Sequence, residues 1–409
     1  MRTRMLARAW IRRLGSLVAA VALPAAVAAQ SRDQPPAPYA RTSLGGEISF
    51  TLGPRDDDAF FNYTDYERNA LRTARVKLFG EWRVVRSLSL IGEVRTEDTD
   101  VIAASAAYVR WRPWSERDLV IQAGRIPPVA GAFARRGYGR DNSVMGLPLG
   151  YQYLTSLRAD ALPTTIDQLL RMRGRGWRPS YPLGSQAVTT GVPLFSSSNW
   201  DTGIEASWRN DLLSLAGEWS LGSPAVPVVR ETNDGHQWSG RVAVHLPEGL
   251  ALGLSGARGQ WLESTVLDQL PANLRGASTQ TLVGSDLEFG LRRWLIRAEW
   301  LRTVFQLPLL AEPVPETSVS AWSGFVEARY RLHPRWQIAA RFDTLRFSSV
   351  TGSDGVPTSW DAPVERVEAV LGFRASRHIE VRGGWQHNWR DGGRVLERGY
   401  PAVQLLYWF

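Results

Sequence analysis

The 409-residue chain contains no cysteine. Disulfides and thiolate metal sites are therefore excluded, and a secreted chain of this length must rely on a large core or a closed sheet. It has a single lysine, Lys77, so its positive charge is almost all arginine. Guanidinium grips phosphate and carboxylate bidentately, but a GC-rich coding sequence produces the same bias, and the lysine deficit is read that way. Past the first 29 residues no apolar run approaches the roughly 18–20 residues of a membrane helix. The five histidines, His236, His245, His333, His378 and His387, show no metal-ligand spacing,. No Gly-x-Ser-x-Gly elbow, Walker loop or dinucleotide fingerprint occurs, so no cofactor is expected. The basic residues form no separable helix or arm, which argues against nucleic-acid binding.

What is present begins with a leader. Arg2, Arg4, Arg8, Arg12 and Arg13 precede an apolar stretch from Leu14 to Val27, and Ala26-Val27-Ala28 or Val27-Ala28-Ala29 supplies a small-residue cleavage site. Residues 1–29 are read as a secretory signal peptide, without the cysteine of a lipoprotein. Residues 30–40 form a short Pro-rich lead, Pro35-Pro36-Ala37-Pro38. Removing the leader arginines lowers the formal charge from +8 to about +3, 43 basic against 40 acidic residues.

From Arg41 to Phe409 the sequence alternates with period two. In Trp238–Leu246, Trp238, Gly240, Val242, Val244 and Leu246 oppose Ser239, Arg241, Ala243 and His245. In 319–332, Trp322, Gly324, Val326, Ala328, Tyr330 and Leu332 oppose Ser323, Glu327, Arg329 and Arg331. Alternate side chains lie on opposite faces of a strand. Such segments run to ten or more residues, the length of a tilted membrane strand of about 9–11, longer than the ~5–6 usual in a sandwich. Sixteen are counted, at 42–53, 70–82, 87–97, 101–112, 118–126, 200–209, 212–222, 236–247, 249–259, 279–292, 294–305, 319–332, 335–347, 363–374, 377–389 and 400–409. Short connections alternate with long ones, apart from 98–100. The chain is polar on average (mean hydropathy −0.22) yet carries 18 Trp, 11 Tyr and 13 Phe. The fold class is thus all-β: a transmembrane antiparallel barrel of about sixteen strands over 41–409, with short periplasmic turns and long extracellular loops.

The longest connection, 127–199, follows the fifth segment and holds eight arginines against three aspartates. A short helix is expected in it, capped by Thr164 and ended by Gly174, with Ile166, Leu169 and Leu170 inward. Alternation places Arg75, Lys77, Glu93, Arg95, Arg110, Arg112, Glu205, Arg241, Glu327, Arg329, Arg341, Asp343, Arg366, Glu368 and Arg382 on the polar, lumen-facing side. The residues expected to line the pore are Arg125, Arg135, Arg136 and Arg140 near a constriction, with Arg110 and Arg341 on the wall. Mixed-sign ladders of this kind also pair with one another and brace the wall.

The C-terminal segment Tyr400–Phe409, with Val403, Leu405, Tyr407 and Phe409 on one face, resembles the signal that bacterial outer-membrane barrels present to their assembly machinery. The whole mature chain, with its longest loop after strand five, resembles the sixteen-stranded porin superfamily. Gly124-Arg125-Ile126-Pro127-Pro128, followed by Gly131-Ala132-Phe133, is similar to part of phosphate-selective porins of the O/P type. The resemblance implies passive diffusion of small hydrophilic solutes, a loop 3 folded into the lumen, a homotrimer, and contact with outer-membrane lipid and lipopolysaccharide. The single lysine departs from the lysine cluster of phosphate-selective members. Three other readings stay open: an export barrel for an acidic polysaccharide, which alginate-export barrels resemble; an outer-membrane enzyme using His236 beside Asp234 or His387 near Asp391; and a plugged structural barrel.

Overall fold

The computed structural model describes residues 41–409 except 65–67, 98–100, 115–116, 137–138, 197–199 and 315. The signal peptide, its cleavage site and the Pro-rich lead lie outside the described residues.

Sixteen antiparallel strands close into one barrel. They are β1 Thr42–Leu52, β2 Thr73–Val85, β3 Leu88–Glu97, β4 Val101–Trp111, β5 Asp118–Ile126, β6 Asp201–Arg209, β7 Leu213–Ser220, β8 Gln237–Leu246, β9 Leu250–Gln260, β10 Thr279–Leu291, β11 Trp294–Pro308, β12 Glu316–His333, β13 Trp336–Phe347, β14 Val364–Arg374, β15 Ile379–Arg390 and β16 Glu397–Trp408. Each segment expected from the alternation is found as a strand. Pairing of β1 with β16, from Glu47↔Trp408 to Leu52↔Val403, removes the last free edge, which hydrocarbon has no means to satisfy. Phe409 and Gly46 exchange N–H···O bonds of 3.0 and 3.2 Å below that ladder.

The tight turns have local causes. At the three-residue β8–β9 turn Glu248 and Gly249 both take positive φ, 67° and 79°, which glycine adopts without a steric penalty. At β6–β7 the Asn210 side chain accepts from the Leu212 and Leu213 amides at 2.9 and 2.6 Å.

Side-chain alternation divides the wall. Val326, Phe342, Val367, Val381, Val403 and Leu405 face outward and are exposed. Trp294 packs against Tyr330 and Trp336 against Phe373 with tilted rings, each pair at 4.6 Å across neighbouring strands near the turn end. An apolar band ending in aromatics is what a lipid-facing barrel requires.

The lumen face is not polar throughout. Toward the loop end the inner faces of β11 and β12 turn apolar: Leu301, Phe305, Leu307, Val319 and Ala321 point inward and are buried. These strands reach 15 and 18 residues because they continue past the membrane as a wall against loop 3. Loop 3 (127–200) holds helices α1 Leu149–Gln152 and α2 Ile166–Arg171. The inner wall packs with Val144, Leu157, Leu162, Trp261 and Trp360 into one apolar core. Full burial of such side chains stabilises by about 1.5–3 kcal/mol each, so loop 3 is a packed part of the fold. Helix α2 begins one residue later than expected: Thr165, not Thr164, is the cap and accepts from the Gln168 amide. Of its expected inward stripe only Leu169 is fully buried. Gly174 does end the turn that follows, at φ 68°.

Candidate pore and constriction

Loop 3 lacks the regular structure that would satisfy its own main chain, so its amides need partners from outside. The lumen face of the wall supplies carboxylates. Glu218 accepts from Val129 N at 3.0 Å, Glu299 from Ala132 N at 2.6 Å and from the Tyr151 hydroxyl at 2.8 Å. Glu47 accepts from Arg140 N at 3.1 Å, and Glu368 from Met145 N and Gly146 N at 2.8 and 3.0 Å. Wall guanidiniums answer the loop carbonyls. Arg382 donates to Asn142 O at 2.8 Å, Arg366 to Leu147 O at 3.1 Å and Arg297 to Asp141 O at 3.1 Å. The loop is thereby stitched across the lumen from β7 round to β15 and β1, and its inward folding follows from these bonds.

This stitching closes one side of the lumen and decides where the expected pore residues lie. Arg341 is not on an open wall. Its side chain is 0% exposed, 2.9 Å from Asp343 and 3.5 Å from Glu368 beneath loop 3. It balances buried carboxylates, and a solute does not reach it. Arg125 is also misplaced by the expectation. In β5 it is Gln122 and Ile126 that turn inward and are buried, so Arg125 turns outward. There its Nε donates to Trp200 O at 3.0 Å, and it also bonds Ala104 O. Arg140 reaches the far wall, 5.2 Å from the centre of the Trp408 ring.

Arg110, Arg135 and Arg136 remain on open space. Arg135 is 45% exposed, held by Pro128 O at 2.8 Å and by Glu205 at 3.4 Å. Arg136 pairs with Glu288 at 2.6 Å. Arg110 donates to Tyr108 Oη at 3.1 Å and lies 3.8 Å from Glu81. The same wall exposes Lys77 and Arg95 by 27% and 24%, both against Glu93 at 3.1 and 2.6 Å. Arg95 also lies 5.3 Å from the centre of the Trp200 ring. The unfilled lumen thus runs along β2–β5, opposite residues 133–136 of loop 3. Arg75, Lys77, Arg95, Arg110 and Arg135 face Glu81, Glu93 and Glu205 there. On the turn side it widens into a recess of about 350 Å³ that Arg135, Arg136, Arg209 and Arg241 share with Asp118 and Glu205.

Alternation had already put Lys77, Arg95 and Glu93 on the lumen face without marking them as pore residues. The anchoring carboxylates Glu47, Glu218 and Glu299 were missed. Their inward strand positions were the available signal. In the loops, Asp361 accepts from the Ser156 and Gly174 amides at 2.6 and 2.7 Å, and burial pushes its carboxyl up. Asp56 bonds the Tyr400 hydroxyl and the Asn62 amide, and burial raises it to about 6. The suggested His387–Asp391 pair does not form: His387 pairs with Glu397 at 2.8 Å on the outer face, while Asp391 holds Arg173 at 3.1 Å; His236 lies against the Trp219 ring, centroids 4.9 Å apart. Among the described residues no group of His, Asp and Glu is arranged to hold a metal.

No family model matches the chain, and no curated protein matches it. Solved structures do. It is similar to an anion-selective porin from Comamonas acidovorans (TM-score 0.55, 9% identity, 90% of this chain and 99% of that one). It is similar to Salmonella typhi OmpF solved with daunomycin (0.54, 13%, 90% and 97%). It is also similar to the trimer form of OmpT, an outer membrane protein of Vibrio cholerae (0.52, 10%, 90% and 99%). At such identities the likeness is one of fold. The fold is the sixteen-stranded barrel of bacterial outer-membrane porins, and the apolar exterior suits the outer membrane.

Proposed function

We propose that the protein is an outer-membrane channel for passive diffusion of small hydrophilic solutes, with a modest preference for anions. The observation that carries this reading is the exposed basic wall: five cations and three carboxylates border the unfilled lumen along β2–β5, a balance of +2. Rings and ladders of charge set selectivity in pores. Most of these cations are paired, so the preference is modest, and the absence of a lysine cluster sets the site apart from a phosphate-selective one. The stretch of loop 3 across the lumen argues against export of a polymer. That same packing favours the plugged barrel as the second reading, because loop 3 fills the side along β9–β16.

Planar-bilayer recording separates the two. Open channels whose reversal potential in a KCl gradient shows Cl⁻ preference, reduced in Arg95→Ala/Arg110→Ala/Arg135→Ala, support the reading. Cation preference removes the role given to the arginines, and folded, heat-modifiable protein without conductance leaves the plugged barrel. A homotrimer and a C-terminal assembly signal at Val403, Leu405, Tyr407 and Phe409 belong to the same proposal. The trimer form of the OmpT neighbour supports the first. The outward, lipid-level position of Val403 and Leu405 supports the second. Deleting Phe409 should lower the yield of folded protein in the membrane, read as the heat-modifiable fraction.

A further inference from the structure

The outer surface of β9–β13 departs from an even apolar belt. Arg302 of β11 stands directly opposite Trp322 of β12, and Trp322 opposite Arg346 of β13. All three point outward, and Arg302 and Trp322 are exposed. Two strands away Arg258 of β9 also faces outward and is exposed. Among the described residues the guanidiniums of Arg258 and Arg302 have no hydrogen-bonding or ion-pair partner. Arg346 is paired with Glu365 alone. Arg302 lies eight residues beyond Trp294 and Arg346 ten beyond Trp336. At ~3.3 Å per residue and a tilt of roughly 40°, that is about 20–25 Å above the aromatic belt at the turn end. The row therefore sits where the hydrocarbon ends and headgroups begin on the loop side.

Directly below it the wall is hollowed. Outward Ser285, Ala298, Gly324 and Thr344 are small, while Trp300 and Phe342 beside them are large, leaving a groove of about 680 Å³ with an almost wholly apolar lining. Trp322 lies two residues above Gly324 and Arg346 two above Thr344 on the same face. Cationic donors flanking an indole, set on top of an apolar groove, match one chemistry: a phosphate headgroup continued by an acyl chain. Arginine forks bind phosphate oxygens bidentately, and basic side chains at this level attract anionic lipid. A second copy of the chain fits less well. The outward carboxylates of neighbouring strands, Glu365 and Glu397, are already taken by Arg346 and His387.

We propose that Arg302, Trp322 and Arg346, with Arg258 nearby and the groove beneath, form a binding site for a phosphorylated lipid of the outer leaflet. The site lies outside the barrel and does not depend on what passes through the lumen.

Native mass spectrometry of the full barrel in detergent tests it, titrating the phosphorylated lipid anchor of lipopolysaccharide against its dephosphorylated form. Arg302→Gln/Arg346→Gln should weaken the phosphorylated lipid by about 30-fold, taking roughly fivefold per arginine at the interface, and leave the dephosphorylated form unchanged. Gly324→Leu should weaken both by filling the groove. Its Cβ meets nothing closer than 3.7 Å, so the barrel should still fold, as heat-modifiability on gels will show. Equal binding of the phosphorylated lipid by the wild type and both variants overturns the proposal. So does a lipid-free oligomer that dissociates in Gly324→Leu, which would make the groove a contact between copies.

Discussion

Replacing Glu299 by alanine should release the start of loop 3 from the wall. Glu299 accepts from the Ala132 and Phe133 amides at 2.6 and 3.3 Å and from the Tyr151 hydroxyl at 2.8 Å. Tyr151 packs against Phe133 and Phe195 at ring distances of 5.3 Å, so this carboxylate also orients an aromatic cluster. Alanine leaves those donors unpaired in a buried place, at about 1–3 kcal/mol each. The sum is roughly 3–6 kcal/mol, since the longer Phe133 bond counts for less. The barrel ladder does not pass through these bonds, so the loss should appear as local opening of 129–152 and not as global unfolding. Each 1.4 kcal/mol is about tenfold in population, so hydrogen exchange of those amides should accelerate at least 100-fold, while β14–β16 keep their protection. Single-channel recordings should show larger and noisier conductance as Arg135 and Arg136 lose their fixed position. Glu299→Gln keeps one acceptor and should fall between. Exchange in Glu299→Ala within threefold of wild type would refute the argument that wall carboxylates hold the loop.

Three further outcomes are expected. Arg341→Ala should leave ion selectivity unchanged but destabilise the protein by about 3–5 kcal/mol, because it leaves Asp343 and Glu368 buried without their cation; reversal potential and urea unfolding read the two effects. Asp56 carries a folded pKa of about 6 against an ordinary 3.8, so its contribution is fully present below about pH 4 and is lost as pH rises through 6. Docking of the loop around Asp56 should therefore weaken by up to about 3 kcal/mol between pH 4 and 7.5, read as intrinsic-rate-corrected exchange of the Asn62 amide, and Asp56→Asn should abolish that dependence. Val367→Arg, on the lipid face of β14, should cost about 2–4 kcal/mol if it lies near the midplane; a change under 0.5 kcal/mol in unfolding from lipid vesicles would mean that face is not in hydrocarbon.

The sequence by itself determined the wall. Strand number, strand boundaries to within a few residues and the inward or outward facing of each side chain follow from period two, because a strand's geometry offers no other phase. Val367 outward and Glu368 inward needed no coordinates. The pattern also marked 127–199 as exceptional by its length and arginine content. It did not distinguish Arg341 from Arg110, both inward arginines on alternating strands. That difference arises only when loop 3 covers one and leaves the other bare. Nor did it show that Glu218 and Glu299 serve loop amides. These depend on where an irregular chain crosses the lumen, and that path is set by contacts more than a hundred residues apart, such as Ala132 with Glu299. Local periodicity carries no record of such contacts; burial and main-chain satisfaction in the closed barrel decide them.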